Sequence, residues 1–112
     1  MDLELQSKWN EVLEKLEGQF GPGMDLQSVI FLIGVQELGL GARNFSKKEK
    51  LDLMHIAICR LLSQYGYYEF DGYDNAGWPQ WKSLEKLPNL QSKEQDQLIM
   101  QAVIDYFEEE TL

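Results

Sequence analysis

The run from Ser46 to Gly66 leaves this chain little choice of local structure. Ser46-Lys47-Lys48-Glu49 is a capping box, in which the serine hydroxyl and the glutamate carboxylate each satisfy a free backbone N–H at a helix start. Leu51, Met54, His55, Ile58, Leu61, Leu62 and Tyr65 follow at i, i+3, i+4, i+7 spacing, which predicts one apolar stripe, and Gly66 marks the stop. Three more helices are read in the same way. Leu5, Trp9, Val12, Leu13, Leu16 and Phe20 predict a first helix from about Leu3 to Glu17, ended by Gly18 and Gly21-Pro22-Gly23. A second runs from the N-cap Asp25 to Leu38, with Gly39 as the left-handed residue after it. Its β-branched, apolar interior also suits a buried strand, but its length and caps favour helix. The last opens with a second box, Ser92-Lys93-Glu94-Gln95, and carries Leu98, Ile99, Ala102, Val103, Tyr106 and Phe107 on one face.

Between the third and fourth helices the chain is too aromatic for a plain loop, since seven of its thirteen aromatic residues fall between Tyr65 and Trp81. Tyr67 to Tyr73 and Trp78 to Leu84 read as strands. Asp74-Asn75-Ala76-Gly77 is a type I turn closed by a left-handed glycine. That turn pairs Tyr73 with Pro79, Asp71 with Trp81, Phe70 with Lys82 and Tyr68 with Leu84. Strict alternation then puts Tyr68, Phe70, Trp78 and Leu84 on the face that packs against helices, and Tyr67, Glu69, Asp71, Tyr73 and Trp81 on an open face. The expected fold is mainly α: four helices with one aromatic β-hairpin between helices three and four, as a single globular domain over residues 1–112.

Composition narrows the function classes. A net charge of −9, with no aromatic-interleaved basic stripe, argues against nucleic acid, which is bound by neutralising phosphates with clustered Lys and Arg. The longest apolar run, Val29 to Ile33, is far short of the roughly 20 residues that span a bilayer, and the acidic amino terminus is no secretory signal. One cysteine excludes a disulfide scaffold and fits a reduced, cytoplasmic protein. Charge is unevenly placed: residues 46–64 carry +2 and residues 92–112 carry −5.

Several constellations bear on chemistry. His55 and Cys59 lie one helical turn apart, but the chain has no other His or Cys to complete a metal site, and the apolar surroundings of Cys59 disfavour a thiolate. No cofactor motif is read, and no nucleophile, base and orienting group can be assembled, so an enzyme is the least favoured class. The open hairpin face combines aromatic area with acids, and Tyr67, Glu69, Asp71, Tyr73 and Trp81 are the candidate contacts for a basic or hydroxyl-rich partner. The competing reading is a lid over a small core. Helix two has apolar side chains nearly all round, so it is either central or the seam of a homodimer. Lysines at the start of helix three sit against the macrodipole. Glu108, Glu109 and Glu110 are their expected partners if helices three and four run antiparallel. The alternative is a small anionic ligand held by Arg43, Lys47 and Lys48 with free N–H groups of the helix.

Leu53-Met54-His55-Ile56-Ala57, Tyr65-Gly66-Tyr67-Tyr68-Glu69-Phe70, Gly77-Trp78-Pro79-Gln80-Trp81 and Leu87-Pro88 together resemble a small bacterial family of conserved proteins without assigned activity. The resemblance covers roughly the second half of the chain. It implies a soluble bacterial protein and supplies no catalytic residues.

Overall fold

A computed structural model describes residues 3–41, 43–86 and 90–109. The protein is mainly α, with helices α1 (Leu3–Phe20), α2 (Leu26–Leu38), α3 (Lys47–Ser63) and α4 (Ser92–Glu109), and an antiparallel hairpin of β1 (Tyr68–Tyr73) and β2 (Pro79–Ser83) between α3 and α4. Among the described residues no helix is long and apolar enough to cross a membrane. The contacts gather into two compact units, residues 1–26 with 89–112, and residues 27–88.

The first unit pairs the first and last helices of the chain. Leu5, Trp9, Val12 and Leu16 bury one stripe of α1, while Met100, Ala102, Val103, Ile104 and Tyr106 are the buried positions of α4. Two expectations change here. Helix α1 does not stop at Glu17: a single glycine costs a helix only about 1 kcal/mol, so Gly18 is passed, and Phe20 ends the helix exposed. The stop is Gly21, whose φ of 100° is left-handed and whose N–H reaches the Glu17 carbonyl at 2.9 Å. The Glu17 carboxylate then accepts the Gly23 N–H at 2.8 Å, fastening the loop to the helix it leaves. Nor does α4 use the expected capping box. Ser92 is already helical, the Gln95 N–H bonds the Gln91 carbonyl, and the Gln95 side chain donates to the Leu90 carbonyl, so the helix starts one residue earlier in register than the box requires.

In the second unit α2 ends as expected, with the Gly39 N–H on the Val35 carbonyl at 3.2 Å and φ of 71°. Its Val29, Ile30, Ile33 and Leu38 are buried and Phe31, Leu32 and Val35 half-buried. Gly34 is the contact point with α3: a Cβ built there would lie 2.2 Å from the Leu53 carbonyl oxygen, so only glycine lets the two backbones approach this closely. That approach brings Leu53 into the core. Buried are Leu53, Ile56, Ala57, Cys59, Leu61 and Leu62, whereas Leu51 is 61% exposed and His55 and Tyr65 are exposed as well. Of the expected stripe, Leu61 and Leu62 are buried and Met54 and Ile58 partly so, whereas Leu51, His55 and Tyr65 are not; the core takes in Leu53, Ile56, Ala57 and Cys59 as well. An ion pair, Arg60 to Glu37 at 3.6 Å, adds a second tie between α3 and α2.

Candidate functional site

The outer side of α3 begins at the capping box, which forms as the sequence dictates: the Glu49 N–H donates to Ser46 Oγ at 3.1 Å and the Ser46 N–H donates to Glu49 Oε1 at 2.9 Å. That Ser46 N–H, helped by the serine hydroxyl and by Arg43, holds the Glu49 carboxyl below the usual carboxylate range. Arg43 sits 3.3 Å from Glu49 Oε2 and 5.1 Å over the Phe45 ring. Lys48, Asp52 and His55 then line up along the outer side at helical spacing.

The hairpin packs against the same helix. Its turn is held by Asp74, whose Oδ1 accepts the Ala76 and Trp78 N–H groups, each at 2.9 Å, with Gly77 left-handed at φ 85°. Tyr73 pairs with Pro79 as expected, but toward the base the register is Phe70 with Trp81, Glu69 with Lys82 and Tyr68 with Ser83. The cause is a bulge at Asp71-Gly72, with Gly72 left-handed at φ 84°. One extra residue reverses the alternation below it. The expected faces are corrected accordingly. Phe70, assigned to the packed side, is 47% exposed and stacks edgewise on Tyr73 at 5.2 Å and on Trp81 at 5.6 Å between ring centroids.

The predicted contacts are thus divided. Tyr73 (65% exposed) and Trp81 are brought together through Phe70. Glu69 faces the other way across from Lys82, Asp71 is exposed in the bulge, and Tyr67 lies half-buried at the hairpin base, its carbonyl accepting the Leu84 N–H. Of the anion-site candidates, Arg43 is engaged by Glu49 and Phe45, Lys47 is exposed away from any cavity described here, and Lys48 alone lines a cleft. Lys47, Lys48 and Lys50 make no ion pair among the described residues; Glu110, Leu87 and Pro88 lie outside those residues.

That cleft, about 470 Å³, runs between α3 and the hairpin. Lys48, Asp52 and His55 form one wall, and Trp78, Pro79 and Trp81 the other. Two further carboxylates at its edge are occupied, Glu49 by the cap and Asp74 by the turn. Asp52 and Lys48 have no hydrogen-bonding or ionic partner among the described residues. The Trp81 Nε1–H is buried with no acceptor, the kind of orphaned donor that costs a fold about 1–3 kcal/mol. His55 Nε2 lies 3.5 Å from Cys59 Sγ, but burial pushes that thiol up to about 11, so it stays protonated near neutral pH and is no nucleophile. Among the described residues no three His, Cys, Asp or Glu side chains gather to hold a metal.

Asp52, His55 and Trp78 were not among the candidate residues of the sequence. Gly72, an isolated glycine in a strand, was the available signal for the bulge, and the polar positions Lys48, Asp52 and His55, spaced 4 and 3 apart, were the signal for an outer helix face. The chain matches no protein-family model, no curated protein and no solved structure, so its function is read from this geometry.

Proposed function

We propose that the protein is a non-enzymatic recognition module that presents its hairpin to a basic segment of a protein partner. One observation carries the reading: Phe70 and Tyr73 are 47% and 65% exposed, yet are stacked on each other and backed by Trp81. Exposed aromatic side chains already held in place lose little freedom on binding, and aromatic anchors dominate interface energetics. The sign of the partner follows from charge. Asp71, in the bulge, and Asp74, in the turn, flank Phe70 and Tyr73 along the chain, and the one base on the strands, Lys82, is paired with Glu69 on the other face. A free, buried Cys59 suits a reducing setting such as the cytoplasm.

The test is a titration of tryptophan fluorescence with a Lys/Arg-rich peptide and with a length-matched acidic peptide, on wild type and on the Tyr73→Ser variant. The proposal predicts saturable binding of the basic peptide only, weakened about tenfold or more by loss of one aromatic anchor with circular dichroism unchanged. Equal binding of both peptides, or an unaffected Tyr73→Ser variant, would overturn it.

A further inference from the structure

Beside the ridge, the α3–hairpin cleft makes a demand of its own. Lys48 and Asp52 stand on one wall, one helical turn apart, a spacing that places their Cβ atoms about 5–6 Å from each other. They do not pair with each other, and neither has another partner among the described residues. The cleft therefore presents a fixed order of charges, cation then anion, that the protein does not satisfy internally. Facing them are two indoles, and one of these, Trp81, carries a buried N–H that lacks an acceptor.

Each unpaired charge specifies what a ligand must bring. Lys48 favours a carboxylate. Asp52 needs a cationic donor. The indole walls favour a planar, weakly hydrated cation over a compact ammonium, because a guanidinium stacks on an aromatic face while bonding a carboxylate in bidentate fashion. A volume of about 470 Å³ suits a ligand of amino-acid size, within the roughly 300–1,000 Å³ of small-molecule sites. A purely anionic ligand fits less well, because Asp52, Glu49 and Asp74 all border the cleft.

We propose that this cleft binds a molecule bearing both a carboxylate and a guanidinium, that is, an arginine, either free or as the C-terminal residue of a peptide. Asp52 holds the guanidinium, Lys48 holds the carboxylate, and the indoles of Trp78 and Trp81 enclose the aliphatic stem. The site uses Lys48 and Asp52 rather than Phe70 and Tyr73 and shares only Trp81 with the ridge, so it goes beyond the ridge reading and is tested by different substitutions.

The experiment is calorimetric titration of the whole chain with arginine, with citrulline, which lacks the charge, and with argininamide, which lacks the carboxylate. A tripeptide ending in arginine, as free acid and as amide, forms the second arm. Arginine should bind saturably, with citrulline and argininamide each weaker by about tenfold or more, as expected for loss of a charge-assisted bond. Asp52→Asn should erase the preference for arginine over citrulline, and Lys48→Gln the preference for arginine over argininamide. Tighter binding of the tripeptide acid identifies a peptide C-terminus as the source; tighter binding of arginine identifies the free amino acid. Either supports the site. No saturable binding of arginine or of the tripeptide acid at millimolar concentration, or equal binding of arginine and citrulline, would overturn it. The Tyr73→Ser variant should bind arginine like wild type, which separates this result from the fate of the ridge.

Discussion

Helix α3 has two sides built to opposite rules. Its inner side is sealed where Leu53 meets α2, whose Gly34 carries no side chain to hold the backbones apart. Its outer side is left unfinished, with an unpartnered Lys48 and Asp52 facing indoles, one of which keeps a buried N–H without an acceptor. Lys48 and Asp52 are exposed, so water solvates them in the free protein and a ligand can reach them, while the core residues of the same helix cannot be reached. The hairpin repeats the division. Its turn is fully bonded around Asp74, while the aromatic ridge of Phe70 and Tyr73 stays exposed.

The contrast can be broken most severely from the inner side. Gly34→Ala places a methyl group 2.2 Å from a backbone oxygen that cannot swing away. Overpacking of this kind costs about 3 kcal/mol, against about 1 kcal/mol gained from the helix propensity of alanine. A net loss of about 2 kcal/mol is expected, measured by chemical denaturation. An unchanged midpoint would mean the helices are not in close contact at Leu53.

A smaller effect is expected at the start of the same helix. Ser46→Ala removes one half of the capping box and should cost about 1 kcal/mol. The pH dependence has a definite sign. Because the folded Glu49 carboxyl is held below its ordinary value, its contribution is present above the unfolded carboxylate pKa and is lost as pH falls through the lower, folded one. Wild type should therefore converge toward Ser46→Ala in acid. A stability difference independent of pH would contradict the cap geometry.

Smallest of all is the expected stability change for Asp52→Asn, within about 0.5 kcal/mol, because Asp52 is exposed and supports nothing in the fold. This near-silence in a denaturation curve sharpens the contrast, since the same substitution is expected to alter ligand preference strongly. A large loss of stability would return Asp52 to a structural role.

Helix positions, the capping box, the Gly39 terminator and the Asp74–Gly77 turn were all legible in the chain, because each is decided by neighbours within a few residues. What escaped reading depends on tertiary choices. Leu61 and Leu62 are core as their spacing predicts, but Leu51 and His55 are exposed while Leu53, brought against α2 at Gly34, is fully buried, an exchange that only the tertiary contact decides. The hairpin register was right at Tyr73–Pro79 and slipped beyond Gly72, because alternation propagates a missed bulge to every residue below it. Strict alternation therefore puts Trp81 on the open face, whereas it lines the cleft with its N–H buried, and puts Phe70 inside, whereas it is 47% exposed. The cleft depends on how the hairpin, whose register shifts at Gly72, seats against the Asp52 and His55 side of α3, which no local pattern encodes.

The most direct test of the two-sided helix is the indole N–H resonance of Trp81 in a ¹H–¹⁵N spectrum, followed as arginine is added. The account predicts that this resonance, from an indole lining the cleft, shifts to saturation as arginine fills it. Amides of Asp52 and His55 should shift with it, and those of Leu53 and Ala57, facing α2, should stay nearly still. An indole resonance that does not move, or shifts concentrated at Leu53 and Ala57, would contradict the assignment of core to one side of α3 and recognition to the other.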